Sequence, residues 1–143
     1  MEEDDMSVPG VPIPCRRHDP PELWFRGSVV DAIRAQHVTA TIRLGERTAK
    51  HAKGYVIDDC VLIRCFDETD TPQFQCWVVV QDVHVLTLQA IGERDLLGCP
   101  DGERAPALLR ALLHKHYGRP IAEDEPLTII RFAYASDGAS YAT

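Results

Sequence analysis

The sequence predicts one small α+β domain, in which a dominant helix packs across a curled β-barrel sheet. Several short β-rich runs follow one another along the chain, and the strongest helical pattern is confined to residues 104–117. The chain has 143 residues, a common length for a single domain and long enough to bury a sizeable core. We expect five or six strands with two flanking helices.

The first predicted elements are a short strand at residues 23–25, a brief helix and a second strand at 38–43. Ser28 stands three residues before Asp31, a spacing that resembles a helix capping box. The helix must be brief, because residues 38–43 alternate and contain β-branched side chains, which favour a strand.

The later elements are several strands and a longer helix. The strands are predicted at residues 55–57, 61–66, 74–88 and 127–134. Gln81 and Asp82 interrupt the longest run, which indicates a bulge or a barrel corner. The helix at 104–117 has Pro106 in its first turn, and Gly118 ends it.

Both ends of the chain are predicted to lie outside the domain. Residues 1–21 contain four consecutive acids and five prolines, a composition that opposes helices and strand ladders. We expect a disordered or extended tail at 1–21, the domain at 22–135 and a frayed end at 136–143. The acidic start does not resemble a secretory signal, and no apolar run is long enough for a bilayer. We therefore expect a cytoplasmic location without membrane contact.

The five cysteines indicate neither a disulfide framework nor a structural zinc site, because their number is odd and no Cys-x-x-Cys pair occurs. Cys60, Cys65 and Cys76 lie in apolar runs, where buried reduced thiols are expected. His114 and His116 are two residues apart on a predicted helix and so do not form a metal pair. We predict no metal and no cofactor.

Charge is distributed unevenly along the chain. The net charge of −7 argues against indiscriminate binding of nucleic acid. Residues 26–53 carry six basic and two acidic side chains, hence +4, which leaves −11 on the rest. A basic surface on an acidic body is suited to one anionic ligand. A solvated charged hairpin without a ligand is the alternative.

Two motifs together resemble the ASCH family, whose fold is related to the PUA barrel. The first joins Phe25 to the Thr-Ala-Thr-Ile-Arg strand at 39–43 at the family spacing. The second joins a leucine-rich helix ending in Tyr-Gly at 117–118 to the strand segment 124–132. The resemblance covers about residues 23–134, and it implies a PUA-like β-barrel that binds RNA or a nucleotide.

The resemblance also bears on catalysis. In family members similar to bacterial amidohydrolases of N-acetylated cytidine, a lysine, a threonine and a glutamate form the catalytic set. Thr41 matches the threonine, whereas the lysine position is Val38. His37 is the candidate base if a loop turns it inward, and a surface histidine is the alternative. The glutamate stays open among Glu93, Asp95, Asp101 and Glu103.

The candidate ligand-binding residues surround the strand at 39–43. Its alternation places Thr39, Thr41 and Arg43 on one face, where two hydroxyls and a guanidinium suit a phosphate or a base edge. The β propensity of threonine alone is the alternative explanation. Trp24 is a candidate for base stacking, with core packing as its alternative. The full set of binding candidates is Trp24, Thr39, Thr41, Arg43, Arg47, Lys50 and Lys53.

The sequence therefore predicts an RNA- or nucleotide-binding domain. Val38 in place of a lysine argues against the alternative, an amidohydrolase of N-acetylated cytidine or a related nucleoside. A third hypothesis is a protein-interaction domain in which the tail at 1–21 binds a partner.

Overall fold

The computed structural model describes residues 20–48 and 54–135. The predicted tail before residue 20, the end after residue 135, and both Lys50 and Lys53 lie outside these ranges. Their roles stay predictions. Within the described ranges, no helix is long and apolar enough to cross a membrane.

One curled half-barrel sheet forms the centre of the fold. Its strands are β1 (Glu22–Arg26), β2 (Ala40–Leu44), β3 (Cys60–Phe66), β4 (Pro72–Thr87) and β5 (Pro126–Tyr134). Their order is β1-β3-β4-β5-β2, so β1 and β2 are the two edges. The helices are α1 (Val29–Arg34) and α2 (Pro106–Tyr117), and three short 3-10 turns precede α2 at Leu88–Ala90, Glu93–Leu96 and Asp101–Glu103. The predicted α+β fold class is confirmed.

The long strand β4 pairs with two neighbours. Its first half runs antiparallel to β3, and its second half runs antiparallel to β5. The register shifts between Val80 and Asp82, so the predicted bulge is confirmed. A bulge bends a strand and increases its twist, which suits a sheet that curls. β1 is parallel to β3, and β2 is antiparallel to β5.

Two apolar clusters cover opposite faces of β5. Ile130 and Phe132 belong to a cluster with residues of β1, α1, β3 and β4. Ile129 belongs to a second cluster with Leu109 and Leu113 of α2. Neighbouring strand residues point to opposite faces, so β5 is buried on both sides. This explains its nearly continuous apolar sequence.

Two local predictions were wrong. Residues 55–57 form no strand, because the chain turns at Asp58, which adopts a positive φ of 73°, and the Asp58 N–H binds the carbonyl of Val80. Ser28 makes no side-chain cap hydrogen bond, and its own backbone is already helical. The helix α1 ends where Gln36 adopts a φ of 62°, and the His37 N–H then donates to the carbonyl of Ala32.

The cysteines follow the prediction in part. Cys65, Cys76 and Cys99 are buried free thiols. Burial raises the pKa of Cys65 to about 11 and that of Cys76 to about 12, so both stay protonated at neutral pH. Cys60 is disulfide-bonded, so the reduced thiol predicted there was wrong. Disulfides are rare in cytosolic proteins, and the cytoplasmic location stays a prediction.

Candidate functional site

A cavity of about 540 Å³ opens between the two edge strands and helix α2; we call it the edge cavity. Its volume lies within the range of small-molecule sites. Apolar residues of β1, β2 and α2 form part of its wall. The polar or ionisable residues around it are Glu22, Arg26, Arg43, Arg47, Tyr55, Glu103, His116 and Tyr117.

Arg43 connects the two edges of the sheet. Its Nη1 group donates to the Thr41 hydroxyl at 2.7 Å and to the Ile42 carbonyl at 2.9 Å, both on β2. Its Nη2 group donates to the Trp24 carbonyl on β1 at 3.0 Å. The guanidinium carbon lies 5.0 Å from the centroid of the Phe25 ring. A guanidinium has five N–H donors, so Nε and one Nη2 hydrogen remain without a partner among the described residues.

Glu103 is the acidic residue that faces this site. Its Oε1 accepts the Ile42 N–H at 3.2 Å and the Thr41 hydroxyl at 3.4 Å. Its Oε2 has no hydrogen-bond partner in the described part of the chain, although the residue is only 8% exposed. Burial raises the pKa of Glu103, while the positive charge of Arg43 opposes that shift. Of the other three acidic candidates, Glu93 and Asp101 are exposed and Asp95 binds the Gly92 N–H.

The edge backbone of Ile42 is satisfied by this pair of side chains. Its N–H binds Glu103, and its carbonyl binds Arg43. A further strand would otherwise supply these partners, because an edge strand presents unpaired backbone groups. The cavity therefore lies where the sheet stays open, with a guanidinium and a carboxylate in its wall.

A docked loop positions Glu103. The Gly98 carbonyl accepts the Thr39 and Ala40 N–H groups at 2.8 Å and 3.1 Å. Gly98 has a φ of 86°, and a Cβ there would lie 2.4 Å from the Thr39 hydroxyl, so glycine is needed at this contact. Arg131 of β5 donates to two more carbonyls of the loop at 2.7 Å each. These bonds hold the loop before α2 against β2.

The structure separates the two threonines predicted as ligand contacts. Thr41 is fully buried, does not line the cavity, and holds Arg43 and Glu103 in place. Thr39 is exposed, lies beside the Gly98 turn and also does not line the cavity. The two therefore lie in different environments despite their two-residue spacing.

Arg47 and Trp24 line the cavity with Arg43. The Arg47 backbone N–H donates to the Thr128 hydroxyl at 2.8 Å, and its Nε donates to the Leu44 carbonyl at 2.9 Å. Neither Nη group of Arg47 makes a hydrogen bond within the described ranges. Trp24 is 49% exposed, so core packing does not explain it.

The two candidates for base chemistry lie away from the cavity. His37 is exposed and does not line it. Val38, at the lysine position of the family, is 1% exposed and packs in the apolar cluster around Ile130. The Val38 carbonyl also accepts the Tyr134 hydroxyl at 2.6 Å. A lysine placed here would bury its ammonium among apolar side chains.

Sequence reasoning missed the contribution of α2 to the site. His116 and Tyr117 line the cavity beside Leu109 and Leu113. Their spacing of three and four residues places these four side chains on one helix face. This spacing could have predicted from the sequence that they line a common surface. Within the described residues, no group of three metal-ligating side chains is clustered closely enough for a metal ion.

Comparisons with known proteins identify the fold. No protein-family model and no curated protein match the sequence. The structure is similar to an ASCH domain from Lactobacillus crispatus JV V101, with a TM-score of 0.56, 13% identity and coverage of 78% of this chain and 79% of that one. It is also similar to a DUF984 protein of Enterococcus faecalis V583, with a TM-score of 0.61, 11% identity and 82% coverage of each chain. The chain therefore has an ASCH-type fold.

The buried carboxyl of Glu103 gives a pH-dependent prediction. Because its pKa is raised in the folded protein, the folded state holds this proton at pH values where the unfolded chain has released it. The contribution of Glu103 to the free energy of unfolding thus falls as the pH rises above 4.5, the ordinary pKa of a glutamate. Glu103→Gln keeps the oxygen acceptor, and we expect it to flatten this part of the profile.

Urea unfolding between pH 4.5 and 8 measures the profile. Glu93→Gln, which removes an exposed carboxyl of the same region, is the matched control. Identical slopes for the wild type and Glu103→Gln above pH 4.5 would contradict the assignment.

Proposed function

We propose that this ASCH-type domain binds single-stranded RNA and places one nucleotide in the edge cavity. The observation that carries the proposal is the wall itself, which Arg43, Arg47 and Glu103 all line. Among the described residues, both arginines keep N–H donors without a partner, and the Oε2 acceptor of Glu103 has none either. Phosphate oxygens and base acceptors suit guanidinium donors, and a base N–H suits a carboxylate oxygen.

The shape of the cavity supports the same ligand class. Its volume of about 540 Å³ has room for a nucleotide-sized group. The aromatic ring of Tyr117 lies in the cavity wall next to the polar groups, where a base could stack on it. Single-stranded RNA presents unstacked bases and a phosphate backbone, which these two kinds of side chain can contact together.

The charge of the cavity rests on two arginines. Arg26 is ion-paired with Asp70, whereas Arg43 and Arg47 keep N–H donors that have no partner in the part of the chain that the structure describes. Because Arg43 also has a structural role, Arg47 is the better residue with which to test binding. The Thr128 hydroxyl holds its backbone N–H, and its side chain makes one local hydrogen bond, from Nε to the Leu44 carbonyl.

The binding prediction uses Arg47→Gln. We expect labelled pentaribonucleotides to bind the wild type at about 50 mM salt and more weakly at about 200 mM, because phosphate contacts release counterions. Arg47→Gln should weaken binding by roughly 10- to 100-fold, the effect of losing a charged hydrogen bond. It should also reduce the steepness with which the logarithm of the binding constant falls against log salt, by about one. Fluorescence anisotropy measures both.

Arg119→Gln is the matched control, since Arg119 is exposed, paired with Glu125 and outside the cavity wall. Equal losses in the two variants would mean that binding is not located in the cavity. Absence of binding by the wild type at 50 mM salt would rule out the proposed function.

An amidohydrolase is the second candidate, favoured by the contact between Thr41 and Glu103. Thr41 is a poor nucleophile here, because it accepts a hydrogen bond from Arg43 and lies behind the cavity wall. Val38 is buried and provides no base. The predicted catalytic role of His37 gains no support from its exposed position.

We therefore expect no acetate to be released when the protein is incubated with N-acetylated cytidine. Chromatographic detection of acetate measures the reaction. Release that Glu103→Gln abolishes would establish the enzyme instead.

A partner protein that binds the tail at 1–21, and a cytoplasmic location, remain further proposals.

A further inference from the structure

Trp24 forms an exposed platform at the rim of the edge cavity. Its neighbours on β1, Leu23 and Phe25, are buried, whereas Trp24 is 49% exposed. Its ring centroid lies 4.9 Å from that of Phe66, with the planes inclined by 51°. The guanidinium carbons of Arg64 and Arg26 lie 5.6 Å and 6.0 Å from the Trp24 centroid. We call Trp24 with these three neighbours the Trp24 platform.

The ring of Trp24 is held in one orientation. Its indole N–H donates to a carboxylate oxygen of Glu22 at 2.6 Å, and Glu22 also lies 3.6 Å from Arg64. The tilted contact with the Phe66 ring restrains the indole further. A side chain held in this way loses little freedom when a ligand stacks on it, so less of the stacking free energy is spent on ordering.

The Trp24 platform extends the edge cavity, and the Trp24 side chain does not hold the two sheet edges together. Glu22, Trp24 and Arg26 all line the cavity. Arg43, however, binds the backbone carbonyl of Trp24 and not its indole. The hydrogen bond from Arg43 that joins the two sheet edges can therefore still form when the Trp24 side chain is changed.

We infer that the Trp24 platform stacks the base adjacent to the nucleotide in the cavity. The preferred ligand is then an RNA strand of at least two nucleotides and not a free nucleotide. This inference rests on the proposed function and adds a second subsite to it. Base–aromatic stacking is tolerant of sequence, because every base has a π face.

Stacking on the indole, and not attraction of a phosphate, provides the binding free energy at this subsite. Arg26 is ion-paired with Asp70, and Arg64 lies beside Glu22. Both guanidiniums lie over the indole ring, and each has a carboxylate partner of its own. The loss of Trp24 should consequently weaken RNA binding without changing its salt dependence, whereas the loss of Arg47 should change that dependence.

The experiment compares penta-adenylate with adenosine 5′-monophosphate. The chain contains two tryptophans, and Trp77 is buried, so quenching that is present in the wild type and absent in Trp24→Phe reports on Trp24. We expect penta-adenylate to quench Trp24 fluorescence, and the monophosphate to bind, by calorimetry, without that quenching.

Trp24→Leu gives the second readout. It should weaken penta-adenylate binding by roughly 5- to 150-fold, the range for one base–aromatic stack, with the salt dependence unchanged and a smaller loss of monophosphate affinity. Trp24→Phe keeps a ring and should lose less, which provides a measurement if Trp24→Leu does not fold.

The outcomes separate the two proposals. Penta-adenylate binding without quenching of Trp24, or equal losses of pentamer and monophosphate affinity in Trp24→Leu, would overturn the platform and leave the proposed function standing. Absence of binding by both ligands would overturn the proposed function and the platform with it.

Discussion

The half-buried guanidinium of Arg43 is the interaction on which the open side of this sheet depends. It donates from β2 to a backbone carbonyl of β1, so the two edges are joined although they do not pair as strands. Burial lowers the pKa of Arg43, while the negative charge of Glu103 opposes that shift. A buried charge is costly unless it is hydrogen-bonded and compensated. Here three acceptors, the Phe25 ring and a buried carboxylate provide that compensation.

The same constraint explains where the cavity lies. A sixth strand between the edges would satisfy their backbone groups and fill the space. Arg43 and Glu103 satisfy the edge backbone of Ile42 instead, with side chains that keep further hydrogen-bonding capacity. In the function proposed above, structure and ligand recognition therefore share these two residues. Arg47 and Trp24 surround this pair without holding the sheet together, so substitutions there separate binding from stability.

The local pattern of the sequence predicted much of this arrangement, and the parts it did not predict depend on distant contacts. Alternation on one strand placed Thr41 and Arg43 on a common face, where they are hydrogen-bonded. The choice of Glu103 among four acidic residues depends on a loop that docks through Gly98, a contact between segments about sixty residues apart in sequence that has no local signature. The absent strand at 55–57 reflects the turn at Asp58, which overrides the β propensity of its neighbours.

Hydrogen exchange in Arg43→Met tests the central role of this guanidinium most directly. Methionine preserves much of the length of the side chain and removes all of its donors. If Arg43 joins the edges, exchange at the backbone amides of β1 and of Ile42 should accelerate more than exchange at the β3–β4 ladder, which is far more extensively paired. Exchange that is unchanged, or that accelerates equally across all five strands, would contradict the account.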